Sequence, residues 1–127
     1  MCVVRAQILI VDDEALVASA MRRCLWREYD VTIVESGREA CDAIAKQGFF
    51  DVIIVDIYMP DLPGTAFYDW LLEHYPPLAQ RVLFTTGANS VEEIQDVLKH
   101  RKCPLMPKPF TSKTIRDYVS SVLNQHS

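Results

Sequence analysis

The chain has 127 residues, 50% of them hydrophobic and 24% charged, with a formal net charge of −4, which suits one globular domain with a real core. The acidic balance argues against direct nucleic-acid binding as the main function, and no apolar run approaches the roughly 18 residues needed to span a bilayer. The opening Met1-Cys2-Val3-Val4-Arg5 lacks the charged and apolar regions of a signal peptide, so a cytoplasmic location is expected.

Ile8-Leu9-Ile10-Val11 reads as an all-apolar strand ending in carboxylates, Asp12-Asp13-Glu14. A helix follows, with Val17, Met21, Cys24 and Leu25 on one face. Val31 to Val34 make a second strand. Ser36 then opens a helix with Glu39 three residues later, a capping-box pattern. Ala40, Ala43 and Ile44 form its apolar face, and Gly48 is placed to stop it. Four consecutive β-branched aliphatics, Val52 to Val55, predict a strand buried on both faces. It ends on Asp56 and breaks into a loop punctuated by Pro60, Pro63 and Gly64.

Phe67, Trp70, Leu71 and His74 recur at helical spacing until Pro76-Pro77 ends the helix. His74 reads as a helix-end residue rather than a ligand, because nothing nearby in the sequence pairs with it. Val82-Leu83-Phe84 is a fourth strand running into Thr85-Thr86-Gly87, and Ser90 with Glu93 repeats the capping box before Val91, Ile94, Val97 and Leu98. A short strand around Pro104-Leu105-Met106 leads into Pro107-Lys108-Pro109-Phe110. The last helix carries Ile115, Tyr118, Val119 and Val122 on one face. Cys2, Cys24, Cys41 and Cys103 form no CxxC or Cys/His metal pattern. Cys24 and Cys41 fall on the inner faces of helices as small core residues, and free thiols in a reducing cytosol are expected.

The order is βα five times over. It predicts a single α/β domain, residues 1–127, with a parallel sheet covered by helices on both faces. Five strands favour the flavodoxin-like order 2-1-3-4-5, whose switch point lies between strands 1 and 3. All strand carboxyl ends then share one edge. That edge collects Asp12 and Asp13, Asp56, Thr85 or Thr86, and Lys108. Three carboxylates repel one another unless a cation or proton intervenes, and hard oxygen ligands with open positions suit Mg²⁺. A hydroxyl and a single Lys beside that metal are suited to holding a phosphoryl group, and an Asp carboxylate can itself be the nucleophile.

The chain resembles the receiver domain of two-component response regulators over essentially its full length. The resemblance rests on Ile8 to Glu14, Asp51 to Asp56 with Met59-Pro60-Asp61-Leu62-Pro63-Gly64, Phe84-Thr85-Thr86-Gly87 and Lys108-Pro109-Phe110. It implies a CheY-like fold and a phosphoacceptor module that turns over no external substrate. It implies that Asp56 takes a phosphoryl group from a phosphohistidine on a histidine kinase or histidine phosphotransfer domain. By the same resemblance Asp12, Asp13, Asp56 and the backbone carbonyl of Tyr58 hold Mg²⁺. Thr86 matches the hydroxyl that bonds the phosphoryl oxygens and shifts on activation. Lys108 matches the lysine that pairs with acceptor and phosphate, and the peptide before Pro109 is expected to be cis.

Two positions depart from the family pattern. Leu105 stands three residues before Lys108, where an aromatic residue often reports phosphorylation, so the readout works differently here. Tyr58, two residues after the acceptor, is bulkier than usual and is expected to screen the acyl phosphate from water. The Thr-Gly after strand 4 and the Pro near strand 5 look like receivers fused to the carboxyl end of hybrid sensor histidine kinases; the resemblance leaves the chain either an excised domain, tethered to the membrane only through such a kinase, or a free-standing regulator. Many receivers form a homodimer through the face made by the fourth helix, fifth strand and fifth helix, but that face is not apolar enough here to require one. Two other classes fit less well. A phosphatase of the haloacid-dehalogenase kind needs a second Asp where Tyr58 stands. A flavodoxin-like cofactor binder wants a hydroxyl- and Gly-rich loop where Asp12-Asp13-Glu14 stands.

Overall fold

A computed structural model describes residues 4–87, 98–99, 101 and 103–126. The elements are β1 (Gln7–Val11), α1 (Ala15–Leu25), β2 (Asp30–Val34), α2 (Gly37–Gln47), β3 (Val52–Asp56), α3 (Gly64–His74), α4 (Pro76–Ala79), β4 (Val82–Thr86), β5 (Leu105–Pro107) and α5 (Ser112–Gln125). The five strands form one sheet in the order β2-β1-β3-β4-β5, and every pairing is parallel. This is the expected doubly wound order. The expected helix at Ser90 to Val97 lies outside the described residues.

The all-apolar strand pattern follows from helices on both faces. β3 and β4 are buried at every position. Alternate strand residues point to opposite faces, and the core divides accordingly. Leu9, Val11, Ile53, Val55 and Phe84 join one cluster with Ala40 and Ile44 of α2 and Phe67 and Leu71 of α3. Ile8, Ile10, Val52, Ile54, Leu83 and Met106 join the other with Met21 and Leu25 of α1 and Ile115, Val119 and Val122 of α5.

Helix ends follow local chemistry. Ser36 caps α2 by accepting the Glu39 N–H, while the Glu39 carboxylate accepts the backbone N–H of Glu35 instead of the Ser36 N–H of a full capping box. Gly48 closes α2 in the left-handed region at φ 87°. Pro76-Pro77 ends α3 as expected but also starts the short helix α4, because proline is tolerated in a first helical turn. His74 ends α3 as expected, yet it is not unpaired. Its Nδ1 lies 3.0 Å from the Trp70 carbonyl and its ring stacks on that indole at 4.9 Å. Cys24 and Cys41 are half-buried at the margins of the two clusters, not inside them. Cys24, Cys41 and Cys103 are free thiols.

Candidate functional site: an acidic cluster bridged by lysine

β1 and β3 are adjacent, with Val11 opposite Val55. Their next residues, Asp12 and the strand-ending Asp56, therefore emerge side by side at the carboxyl edge. Both follow residues of the α1/α5 face in alternation, so their side chains share it. They are nearly fully buried, at 1% and 4% exposure. Asp13 and Glu14 are exposed. One carboxylate oxygen from each of Asp12, Asp13, Glu14 and Asp56 lies within 4.8 Å of the others.

Lys108 holds this cluster together. Its Nζ donates to Asp12 Oδ2 at 3.0 Å, Asp56 Oδ2 at 2.9 Å and Glu14 Oε1 at 3.4 Å. The Lys108 backbone N–H donates to the Thr86 carbonyl at 2.8 Å, so β4 aims the lysine. The Lys108–Pro109 peptide is cis, as expected. The second oxygen of each buried carboxylate is fixed by its own loop. Asp12 Oδ1 accepts the Glu14 N–H at 2.9 Å and Asp56 Oδ1 accepts the Tyr58 N–H at 3.0 Å.

Electrostatics follow from this packing. Burial pushes the Asp12 carboxyl above its ordinary value, and the Asp56 charge adds to that push; the Glu14 N–H and Lys108 oppose it. Burial works against the Lys108 charge too, but hydrogen bonds to Asp56 and Asp12 overcome it and raise the ammonium well above the usual lysine range. The two carboxylates thus favour the charged form of Lys108.

The structure brings together Asp12, Asp13, Asp56 and Lys108 as the sequence predicts. Thr86 ends β4, 2% exposed, one residue beyond Thr85, which is in register with Asp56. Tyr58, whose N–H meets Asp56, is 48% exposed. Glu14 was noted in the acidic run but given no role; its contact with Lys108 across 94 residues of sequence carries no local signal. Asp61, in the loop leaving β3, accepts the Gly37 and Arg38 N–H groups at 3.3 Å, tying that loop to the start of α2. Its slight burial raises the carboxyl, but the backbone donors outweigh it and lower the pKa.

The four carboxylates are hard oxygen donors, partly open to solvent, and their chemistry fits a divalent cation that keeps several waters. Beside them, Leu16, Val17, Ala20, Pro109 and Phe110 help line an open cavity of about 620 Å³. Leu16 is 85% exposed there.

The family profile described as "Response regulator receiver domain" matches residues 8–120. The chain belongs to the response regulator receiver family. Response regulator MprA of Mycolicibacterium vanbaalenii is 31% identical over 120 residues, covering 94% of this chain and 51% of that protein. Sensor kinase CckA of Brucella abortus is 27% identical over 122 residues, covering 94% of this chain and 13% of the kinase. Among solved structures, Vibrio cholerae chemotaxis protein CheY4 superposes with a TM-score of 0.83 at 28% identity, covering 94% of this chain and all of that one. The chain thus spans about half the length of MprA and far less of the kinase. The receiver family acts by accepting a phosphoryl group in two-component signalling, and its members meet histidine kinases or phosphotransfer proteins. No helix among the described residues is long and apolar enough to cross a membrane.

Proposed function

We propose that Asp56 is the phosphoryl acceptor of this receiver and that residues 1–127 act as one switching unit in the cytoplasm. The observation that carries the assignment is the Lys108 ammonium bridging two buried carboxylates, Asp12 and Asp56, at the carboxyl edge of the sheet. An in-line attack by an Asp56 carboxylate oxygen forms a P–O bond as the P–N bond of a phosphohistidine breaks, and the electron pair leaves on the imidazole. Lys108 neutralises charge on the transferring group, and the Thr86 hydroxyl bonds a phosphoryl oxygen. Asp12, Asp13, Asp56 and the Tyr58 carbonyl would hold Mg²⁺, which supplies charge neutralisation and orientation for the phosphoryl oxygens. The Tyr58 N–H fixes the acceptor carboxylate in place meanwhile.

The partly exposed apolar ledge of Leu16, Val17, Pro109 and Phe110 beside Lys108 suits a histidine-bearing partner, which must place its imidazole against Asp56. The partner is a histidine kinase or phosphotransfer domain, and the unit turns over no external substrate. The test is incubation with a small phosphodonor and Mg²⁺ followed by intact-mass measurement. One acid-stable, base-labile phosphoryl adduct is expected on the parent and none on Asp56→Asn. An undiminished adduct on the variant would overturn the assignment.

A further inference from the structure

Among the described residues, Thr85 Oγ1 is the buried side-chain polar atom without a hydrogen-bond partner. Thr85 itself is 0% exposed. A hydroxyl in that state has given up water without a replacement bond, so it calls for a reason. Its position supplies one. Thr85 is in register with Asp56 on one side and Met106 on the other. It follows Leu83 by two residues, as Asp56 follows Ile54 and Lys108 follows Met106; all three precursors belong to the α1/α5 cluster. Strand alternation therefore sets Thr85, Asp56 and Lys108 on the same face of the sheet, with the hydroxyl residue beside the acceptor strand.

The partners of Asp56 show what is lacking. Oδ1 is held by the Tyr58 N–H, while Oδ2 depends on Lys108 alone among side chains of the described residues. Lys108 also serves Asp12 and Glu14. When phosphoryl oxygens arrive, the same ammonium must turn to them; with Oδ1 bonded to phosphorus, Oδ2 keeps only the cation that Asp56 would help hold and loses its protein side-chain donor.

Building on the assignment of Asp56 as acceptor, we propose that the Thr85 hydroxyl is a donor held in reserve, a positioning residue that takes over the Asp56 carboxyl oxygen released by Lys108 in the phosphorylated state. Thr86 and Thr85 then divide the work: Thr86 at the strand tip serves the phosphoryl oxygens and Thr85, one residue deeper, serves the acceptor. The unpaired hydroxyl is a strain carried by the resting state and relieved by phosphorylation.

Thr85→Val keeps the shape and removes the hydroxyl; Thr85→Ser keeps the hydroxyl. Without phosphodonor, Thr85→Val is expected to unfold at the same or higher urea concentration than the parent, because it deletes an unpaired group. With Mg²⁺ and beryllium trifluoride as phosphoryl mimic, it is expected to bind the mimic about tenfold more weakly, the loss of one hydrogen bond to a charged group. Thr85→Ser should stay near the parent in that binding. A Thr85→Val protein that binds the mimic like the parent overturns the proposal, as does one that loses resting stability, since the hydroxyl would then already be bonded. An absent adduct on the unaltered chain, in the mass experiment above, would instead sink the acceptor assignment itself.

Discussion

Lys108 does in the resting protein what a divalent cation would do in the loaded one. Its 12% exposed side chain neutralises Asp12 and Asp56, which are almost wholly shielded from water. Lys108→Ala would leave both carboxylates buried without a cation. Removing one partner of such a set typically costs about 3 kcal/mol, so a loss of about 2–3 kcal/mol in urea unfolding at neutral pH is expected. Mg²⁺ should then restore more stability to the variant than it adds to the parent, because the lysine no longer competes for the same oxygens. A variant that loses stability yet ignores Mg²⁺ would show that the cluster does not bind the ion. Tyr58 makes a different kind of contribution. Its N–H is used on Asp56, and the residue is half-exposed two positions after the acceptor, which is the basis for testing its ring as a cover for an attached phosphoryl group. Tyr58→Asn keeps the N–H and removes the cover. Hydrolysis of the adduct should accelerate about tenfold, equivalent to about 1.4 kcal/mol in the barrier; an unchanged rate removes Tyr58 from the account.

At the scale of elements, the join between β3 and α3 holds the acceptor in place. The chain turns back so sharply after Asp56 that the Gly64 N–H donates to the Ile57 carbonyl at 2.9 Å. A Cβ on Gly64 would run into the Asp56 carbonyl oxygen. That obstacle is backbone, so the loop itself would have to move. Gly64→Ala is expected to cost about 3 kcal/mol in unfolding and to slow phosphorylation of Asp56 as well. Loss of stability with unaltered phosphorylation would show that the loop relaxes away from the acceptor. The sequence showed Gly64 as a loop breaker, whereas its role in close approach needs the backbone of Asp56 beside it.

The same division recurs along the chain. Runs such as Ile8-Leu9-Ile10-Val11 and Val52 to Val55 are legible because a strand covered on both faces has no polar alternation to imitate. Strand order then brings Asp12, Asp56 and Lys108 to one edge without any knowledge of side-chain contacts. What was not legible depends on distance in sequence or on backbone detail. Glu14 meets Lys108 only through the fold. Pro76-Pro77 reads as a stop and turns out also to be a start. Cys24 and Cys41 obey the helical period yet lie at its edge, where half-burial and full burial give the same pattern.

Across the whole molecule, the two sides of the sheet carry different tasks. The α1/α5 side carries the acidic cluster, and the α2/α3 side carries the corner where an aromatic switch would be expected on β5. Leu105 stands opposite Phe84 there. The aromatic contact comes from α3 instead: the Tyr68 ring lies 5.8 Å from that of Phe84, and its phenol is close enough to the Cys103 thiol, just ahead of β5, to be influenced by it. Tyr68 thus joins α3, β4 and the approach to β5 in one contact. Burial first, and the Cys103 neighbour second, push its phenol from 10.0 up to about 12. The folded state therefore holds this proton more tightly than the unfolded chain does. Its contribution is complete below the ordinary phenol value and is lost as pH rises from 10.0 to about 12. Tyr68→Phe keeps the buried ring and should change stability at neutral pH by less than about 1 kcal/mol. Between those two pH values its stability should fall less steeply than the parent's, and the late rise in phenolate absorbance that accompanies alkaline unfolding should vanish. Lysine deprotonation acts on both proteins alike, so the difference between their urea-unfolding curves isolates Tyr68. Parallel curves throughout that range would mean that the phenol is not held at this corner, and the joint between α3 and β5 would have to rest on Phe84 and Leu105 alone.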